Sequence, residues 1–168
     1  MSTLLVLMVF PALLAIAAGW DLASYTIPNR IPLAIVAVFA MFALSAGLPL
    51  PQFGLHLAAG LVALAAGFAM FAAGYIGGGD AKLFAAAALW FGFRDLPAFG
   101  LTAAVLGGGL TLAILAARRV PLPAGLVQQG WIARLHDSRS GIPYGVALAA
   151  GALVVLPGAE IFRLLPGS

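Results

Sequence analysis

The run Gly77-Gly78-Gly79-Asp80-Ala81-Lys82-Leu83 breaks an otherwise apolar stretch with three glycines, an acid and a base. Residues 53–75 before it and 81–93 after it both read as apolar helices. As a helix, the downstream segment rises only about 20 Å, well short of a hydrocarbon core of about 30 Å. Either that segment does not cross a bilayer, or its start at Asp80 is sunk below the membrane surface. The number of spans depends on which of the two holds.

Working outward, the composition points the same way as the helices. The chain has 168 residues, 64% hydrophobic and only 8% charged, with a mean hydropathy of +1.13. Soluble domains carry about a quarter of their residues charged. The expected class is therefore an all-α, polytopic membrane protein, with residues 1–168 forming one membrane-embedded domain. The net charge of +3 reports membrane orientation before it reports any nucleic-acid partner, and none is expected. Cysteine is absent, which removes disulfides, thiol nucleophiles and cysteine-bound zinc. His56 and His136 are too few and too far apart to suggest a metal site.

Glycine and proline punctuate the chain. Residues 3–20 form a first span of about the required 20 residues, kinked at Pro11. A signal peptide is the alternative, but the basic n-region is missing. Trp20 marks the interface and Asp21 follows it directly. Pro28 biases Ile27 away from helix, so the second helix starts near Asn29 or later and runs from about residue 31 to 47, with Pro32 tolerated in its first turn. A third helix covers about 53–75. There Gly60, Gly67 and Gly74 recur at seven-residue spacing and form a close-packing seam. His56, near its outer end, reads as a packing residue. A fifth helix spans about 97–117 and a sixth about 143–165, where Glu160 and Arg163 are spaced to pair. Between them, Val127, Trp131 and Leu135 suggest a short amphipathic helix at the interface, which Gly130 weakens.

Charge placement decides the span count. With six helices, Arg30, Lys82, Arg118, Arg119, Arg134 and Arg139 share one side, and only Arg94 and Arg163 fall on the other. The positive-inside rule makes the first side cytoplasmic and puts both termini outside. Dropping the short fourth helix would scatter these basic residues over both sides. Six spans follow, with Asp80 recessed from the cytoplasmic surface.

Asp21 and Asp80 then lie at cytoplasmic helix ends with no exposed loop to hold them. Taken singly, Asp80 could be a helix cap and Asp21 a snorkelling interfacial residue. Taken together, beside a glycine run, they read as a working pair. Two carboxylates held close share one proton, so one can activate water while the other protonates a scissile carbonyl. Helix polarity favours Asp80, at an N-terminus, as the anion and Asp21, at a C-terminus, as the acid. This chemistry needs no metal and no cofactor. Gly77, Gly78 and Gly79 would let an extended substrate backbone approach the carboxylate, with Lys82 a further candidate for substrate contact. The bland reading of Lys82 is a marker of the cytoplasmic surface.

The sequence resembles the type IV prepilin peptidases, bacterial members of the GxGD class of membrane aspartyl proteases. The resemblance rests on Gly77-Gly78-Gly79-Asp80-Ala81-Lys82-Leu83, on Asp21 followed by Ile27-Pro28-Asn29, and on Pro143-Tyr144-Gly145. It implies that Asp21 and Asp80 are the catalytic pair of a multi-pass enzyme of the bacterial inner membrane. The implied partner, besides membrane lipid, is a prepilin or pseudopilin whose leader is removed on the cytoplasmic side. Larger members also N-methylate the new terminus and carry an insert with paired Cys-x-x-Cys motifs. Without cysteine, and with a first cytoplasmic loop of about ten residues, this chain resembles the short peptidases of Flp (tight-adherence) pilus systems. Methyl transfer is not expected. Presenilin-like proteases share GxGD but carry Tyr before the first aspartate, where this chain has Trp20.

Two other readings use the same residues. A proton-coupled transporter could relay protons through the acids, although no repeat relates the two halves of the chain. A non-catalytic assembly subunit would use the aspartates as caps and the glycine seams to bind partners. Leader removal, or its absence, separates all three.

Overall fold

The computed structural model describes residues 4–164, and these form an all-helical bundle with no strand among them. Helix α1 covers Leu5–Ser24. Its first turn, Leu5–Val9, is a π-turn, and Pro11 stands at the start of the regular helix that follows. Proline lacks the amide that would bond four residues back, so the wider turn lies where the ladder is interrupted. Helix α2, Arg30–Ala46, has Asn29 at its N-cap and Gly47 in the left-handed conformation at its C-cap. Helix α3 covers Leu50–Ala72.

The next helical stretch, Gly78–Ala117, breaks at Gly92, whose φ of 58° and ψ of −176° lie outside helix. The two limbs, α4 (78–91) and α5 (93–117), fold back side by side. Phe99 stacks on Phe91 at 4.8 Å and on Phe84 at 5.3 Å, contacts that a straight helix could not make. Glycine is required at the bend because its backbone is left-handed, and a Cβ there would also meet His56 Cε1 at 3.1 Å. The short polar stretch beyond α5 forms α6 (Ala124–Val127) and α7 (Gly130–His136). Helix α8, Tyr144–Val155, closes the bundle and tightens into a 3-10 turn at Leu156–Gly158.

Helix α4 is the axis. From Leu83 to Gly92 every residue but Phe84 is buried. A helix that is apolar all round belongs inside a fold, and its neighbours supply the matching surface. Trp90 stacks on Phe10 at 4.4 Å, meets Phe42 and Phe39, and donates its indole N–H to the Ile35 carbonyl at 3.3 Å. Helix α3 comes close because glycine faces α4. A Cβ on Gly67 would meet Ala81 Cα at 3.1 Å, and one on Gly60 would meet Leu89 Cδ2 at 2.5 Å. Gly74 does not continue this seam. It lies past the end of α3 at φ +79° with nothing within 4 Å, and serves the turn. His56 is buried and donates from Nδ1 to the Leu89 carbonyl at 2.6 Å, satisfying an orphan acceptor where α4 ends.

Helix α8 reaches α5 in the same way. A Cβ on Gly151 would lie 2.8 Å from the Ala103 amide nitrogen and 2.9 Å from its Cα. Gly151→Val should therefore destabilise the bundle by about 1–3 kcal/mol through overpacking against backbone. A lowered thermal midpoint in detergent is the expected reading; an unchanged one contradicts this packing.

Three local expectations change. Val127, Trp131 and Leu135 do not share one helix, because the chain breaks between α6 and α7 ahead of Gly130. The sixth helix stops at Val155 and does not continue towards Leu165, which lies outside the described residues. Glu160 then stands in a separate 3-10 turn and pairs with Arg94 at 3.1 Å, while its amide donates to Asp95 at 2.6 Å. The three-residue spacing to Arg163 is kept within that turn, and what changes is the added partner Arg94.

Candidate active site

Asp21 and Asp80 are both buried, at 4% and 8% exposure, although they come from helices fifty-nine positions apart. Asp21 lies inside the last turn of α1, which runs past Trp20 to Ser24 and ends on Tyr25. Tyr25 has φ +56°, the one positive φ outside glycine among the described residues, and its amide donates to the Asp21 carbonyl at 2.7 Å. The left-handed residue thus stops α1 one turn after the acid and sends the chain into Thr26-Ile27-Pro28. The Asp21 carboxylate accepts a hydrogen bond from the Gly145 amide, 124 positions away, at 2.8 Å.

Asp80 is not the cap of α4 but its third residue, and Gly77 is the cap. Its Oδ2 accepts the Gly77 amide at 3.2 Å, the reach-back of an acid from the third position of a helix. Its Oδ1 is buried and has no hydrogen-bond partner among the described residues. The two acids lie close enough for Asp21 to act electrostatically on Asp80.

Ile27 joins the two halves. A Cβ on Gly79 would meet Ile27 Cβ at 3.1 Å, and a Cβ on Gly145 would meet Ile27 Cδ1 at 2.8 Å. One buried side chain is therefore packed against the residue beside Asp80 and against the residue whose amide holds Asp21. Lys82 fixes the same turn from the other side, donating from Nζ to Asn29 Oδ1 at 2.8 Å.

The glycine run has work inside the protein. Gly77 supplies an amide to Asp80, Gly78 faces the Phe71 ring, where a Cβ would come within 3.4 Å, and Gly79 faces Ile27. Gly77 remains exposed and Gly78 and Gly79 half-buried, while Lys82 is engaged by Asn29. Pro143 and Tyr144 lead into Gly145 at the start of α8. A second approach to Asp80 does exist. A cavity of about 390 Å³ between α4, α5 and α8 has Asp80 and Tyr144 in its wall.

The segment before Gly145 is strapped down by arginines whose only visible role in the sequence is to mark topology. Arg118 donates to the carbonyls of Leu135, Ser140 and Gly141 at 2.9–3.1 Å, and Arg134 donates to Ala23 at 3.1 Å. The ends of α1 and α5 are thereby tied to the stretch of chain that delivers the Gly145 amide. The Tyr25 hydroxyl is buried beside Arg118, and burial pushes it above the ordinary phenol range. No spacing in the sequence signals these contacts, since each joins residues far apart along the chain.

Three of the helical stretches, Leu5–Ser24, Leu50–Ala72 and Gly78–Ala117, are long and apolar enough to cross a membrane. Fold and site together define a helical membrane protein with two buried acids at helix ends. The model of the type IV leader peptidase family matches residues 8–112, more than half of the chain and both aspartates, and the chain belongs to that family of peptidases. Comparison with curated proteins and with solved structures gives no match.

Proposed function

We propose that this protein is a membrane aspartyl endopeptidase that removes the leader of a prepilin or pseudopilin on the cytoplasmic side, with Asp21 and Asp80 as its catalytic pair. The observation that carries this reading is the burial of both acids, each accepting one backbone amide, with Ile27 packed against Gly79 beside Asp80 and against Gly145, whose amide holds Asp21. Family membership supports a leader peptide as substrate.

In this reading the acids share one proton. Asp80, at a helix N-terminus, holds the negative charge, and its unpartnered Oδ1 is the acceptor that takes a proton from the attacking water. Asp21 donates to the scissile carbonyl oxygen as the tetrahedral intermediate forms. Collapse of the intermediate breaks the C–N bond. The proton taken up by Asp80 passes to the leaving amine, and the carbonyl re-forms as its proton returns to Asp21.

Six crossings, with both termini outside and the acids at the cytoplasmic end, are supported by the hairpin at Gly92. It lets the short α4 and the longer α5 serve as two separate passes. The absence of cysteine and the short connection between α1 and α2 support cleavage without methyl transfer, as in the short Flp-type peptidases of the bacterial inner membrane.

The test is leader removal. Purified protein in detergent, incubated with a prepilin, should release the leader as one defined mass, with a bell-shaped dependence of kcat/KM on pH. Intact prepilin after long incubation counts against the reading, and so does a rate independent of pH across the acid range.

A further inference from the structure

The cavity beside Asp80 has a chemistry of its own, and its interpretation rests on the protease reading. It measures about 390 Å³, within the range of pockets that take small ligands or large side chains. Asp80 is more than nine-tenths buried in its wall, with Oδ1 lacking a partner among the described residues. A buried acceptor left unsatisfied is expensive, so this atom is poised for a group that enters the cavity. The remaining lining is apolar apart from the hydroxyls of Tyr75 and Tyr144, and Phe84 and Leu148 are typical of it.

Helix α5 makes its wall from residues no larger than alanine: Gly100, Ala103, Ala104, Gly107 and Gly108. Elsewhere the helix exposes Leu101, Val105 and Leu112. Two adjacent glycines have different reasons to be small. At Gly107 a Cβ would meet the Tyr144 ring at 3.3 Å, so packing of α8 accounts for it. At Gly108 a Cβ would meet nothing within 4 Å, so no contact within the protein accounts for it.

We infer that this cavity is a specificity pocket: it receives a large apolar side chain of the substrate next to the bond being cut, and Gly108, with Ala104 one turn earlier, sets its size. Apolar walls disfavour a charged side chain, which would lose its hydration with nothing in return. An aromatic or branched aliphatic side chain buries the most surface there and seats the adjoining carbonyl near Asp80.

A panel of prepilins that differ only in the residues flanking the cleaved bond, each set in turn to Ala, Leu, Phe or Asp, tests the pocket. Wild-type protein should prefer Leu or Phe at one flanking position and disfavour Asp there. Gly108→Leu should lower the ratio of kcat/KM for Phe over Ala at that position by about tenfold or more, since the lost burial is that of a large side chain. Ala104→Leu should shift the ratio in the same direction, and it serves if Gly108→Leu does not fold. An unchanged ratio in the folded variants overturns the pocket while leaving the protease intact, as expected if the cavity merely holds a lipid tail. A wild-type protein that cuts no member of the panel overturns the protease reading and the pocket with it.

Discussion

Asp80→Asn and Asp21→Asn should each lower kcat/KM for leader removal by about 10³-fold or more, the range for loss of a group that transfers a proton in the transition state. Asparagine is the informative replacement because it keeps the shape and still presents a carbonyl oxygen. In Asp80→Asn that oxygen can accept the Gly77 amide that Asp80 Oδ2 accepts at 3.2 Å. In Asp21→Asn it can accept the Gly145 amide now held at 2.8 Å. Fold and thermal midpoint should therefore remain near those of the parent protein while the chemistry is lost. A folded variant of either position with a third or more of the original rate would remove that acid from the mechanism.

The second large effect is expected at a residue that carries no chemistry. Gly145→Ala should lower kcat/KM by about 10²-fold, the loss associated with displacing a catalytic group by about 1 Å. The added Cβ would lie 2.8 Å from Asp21 Oδ2, 3.0 Å from Asp21 Cβ and 2.8 Å from Ile27 Cδ1, so all three atoms cannot stay where they are. Shortening Ile27 relieves one of these contacts and leaves the clash with Asp21. Ile27→Val combined with Gly145→Ala should thus recover only part of the lost rate. Steady-state kinetics of the two variants, beside their melting curves, checks this. Gly145→Ala with a rate within threefold of the parent would mean that the α8 amide does not position Asp21.

The sequence carried much of this arrangement because its strongest signals are local. Pro28 and Asn29 mark the start of α2, and Gly47 marks its end with a left-handed turn. The break at Gly92 falls just inside the end of the fourth apolar segment, two residues before the charged pair Arg94-Asp95. Asp21 and Asp80 could be named because an acid in an apolar chain has few ordinary uses. What stayed hidden depends on contacts between distant segments. The Gly145 amide reaches Asp21 across 124 positions, and nothing in the composition of α8 announces it. The glycines before Asp80 read as room for a substrate, and nothing in that run announces that Gly79 packs on Ile27 and Gly78 on Phe71. Glu160 and Arg163 keep their three-residue spacing in a 3-10 turn after α8, but that spacing gives no sign that Arg94 meets the acid from the start of α5.

The cavity on α5 shows the same limit. Gly107 and Gly108 are adjacent in the sequence, and only the position of Tyr144 separates the glycine that packs from the glycine that opens the cavity.

The central claim is that Asp21 and Asp80 act as one unit, and the double variant tests it most directly. Groups that work together in a single step lose their effect together, whereas independent groups lose theirs multiplicatively. Leader-removal rates should be measured for Asp21→Asn, Asp80→Asn and the combined protein on the same prepilin. A shared mechanism predicts a double variant within about threefold of either single one. Losses that multiply, or a single variant that retains its activity, would contradict it.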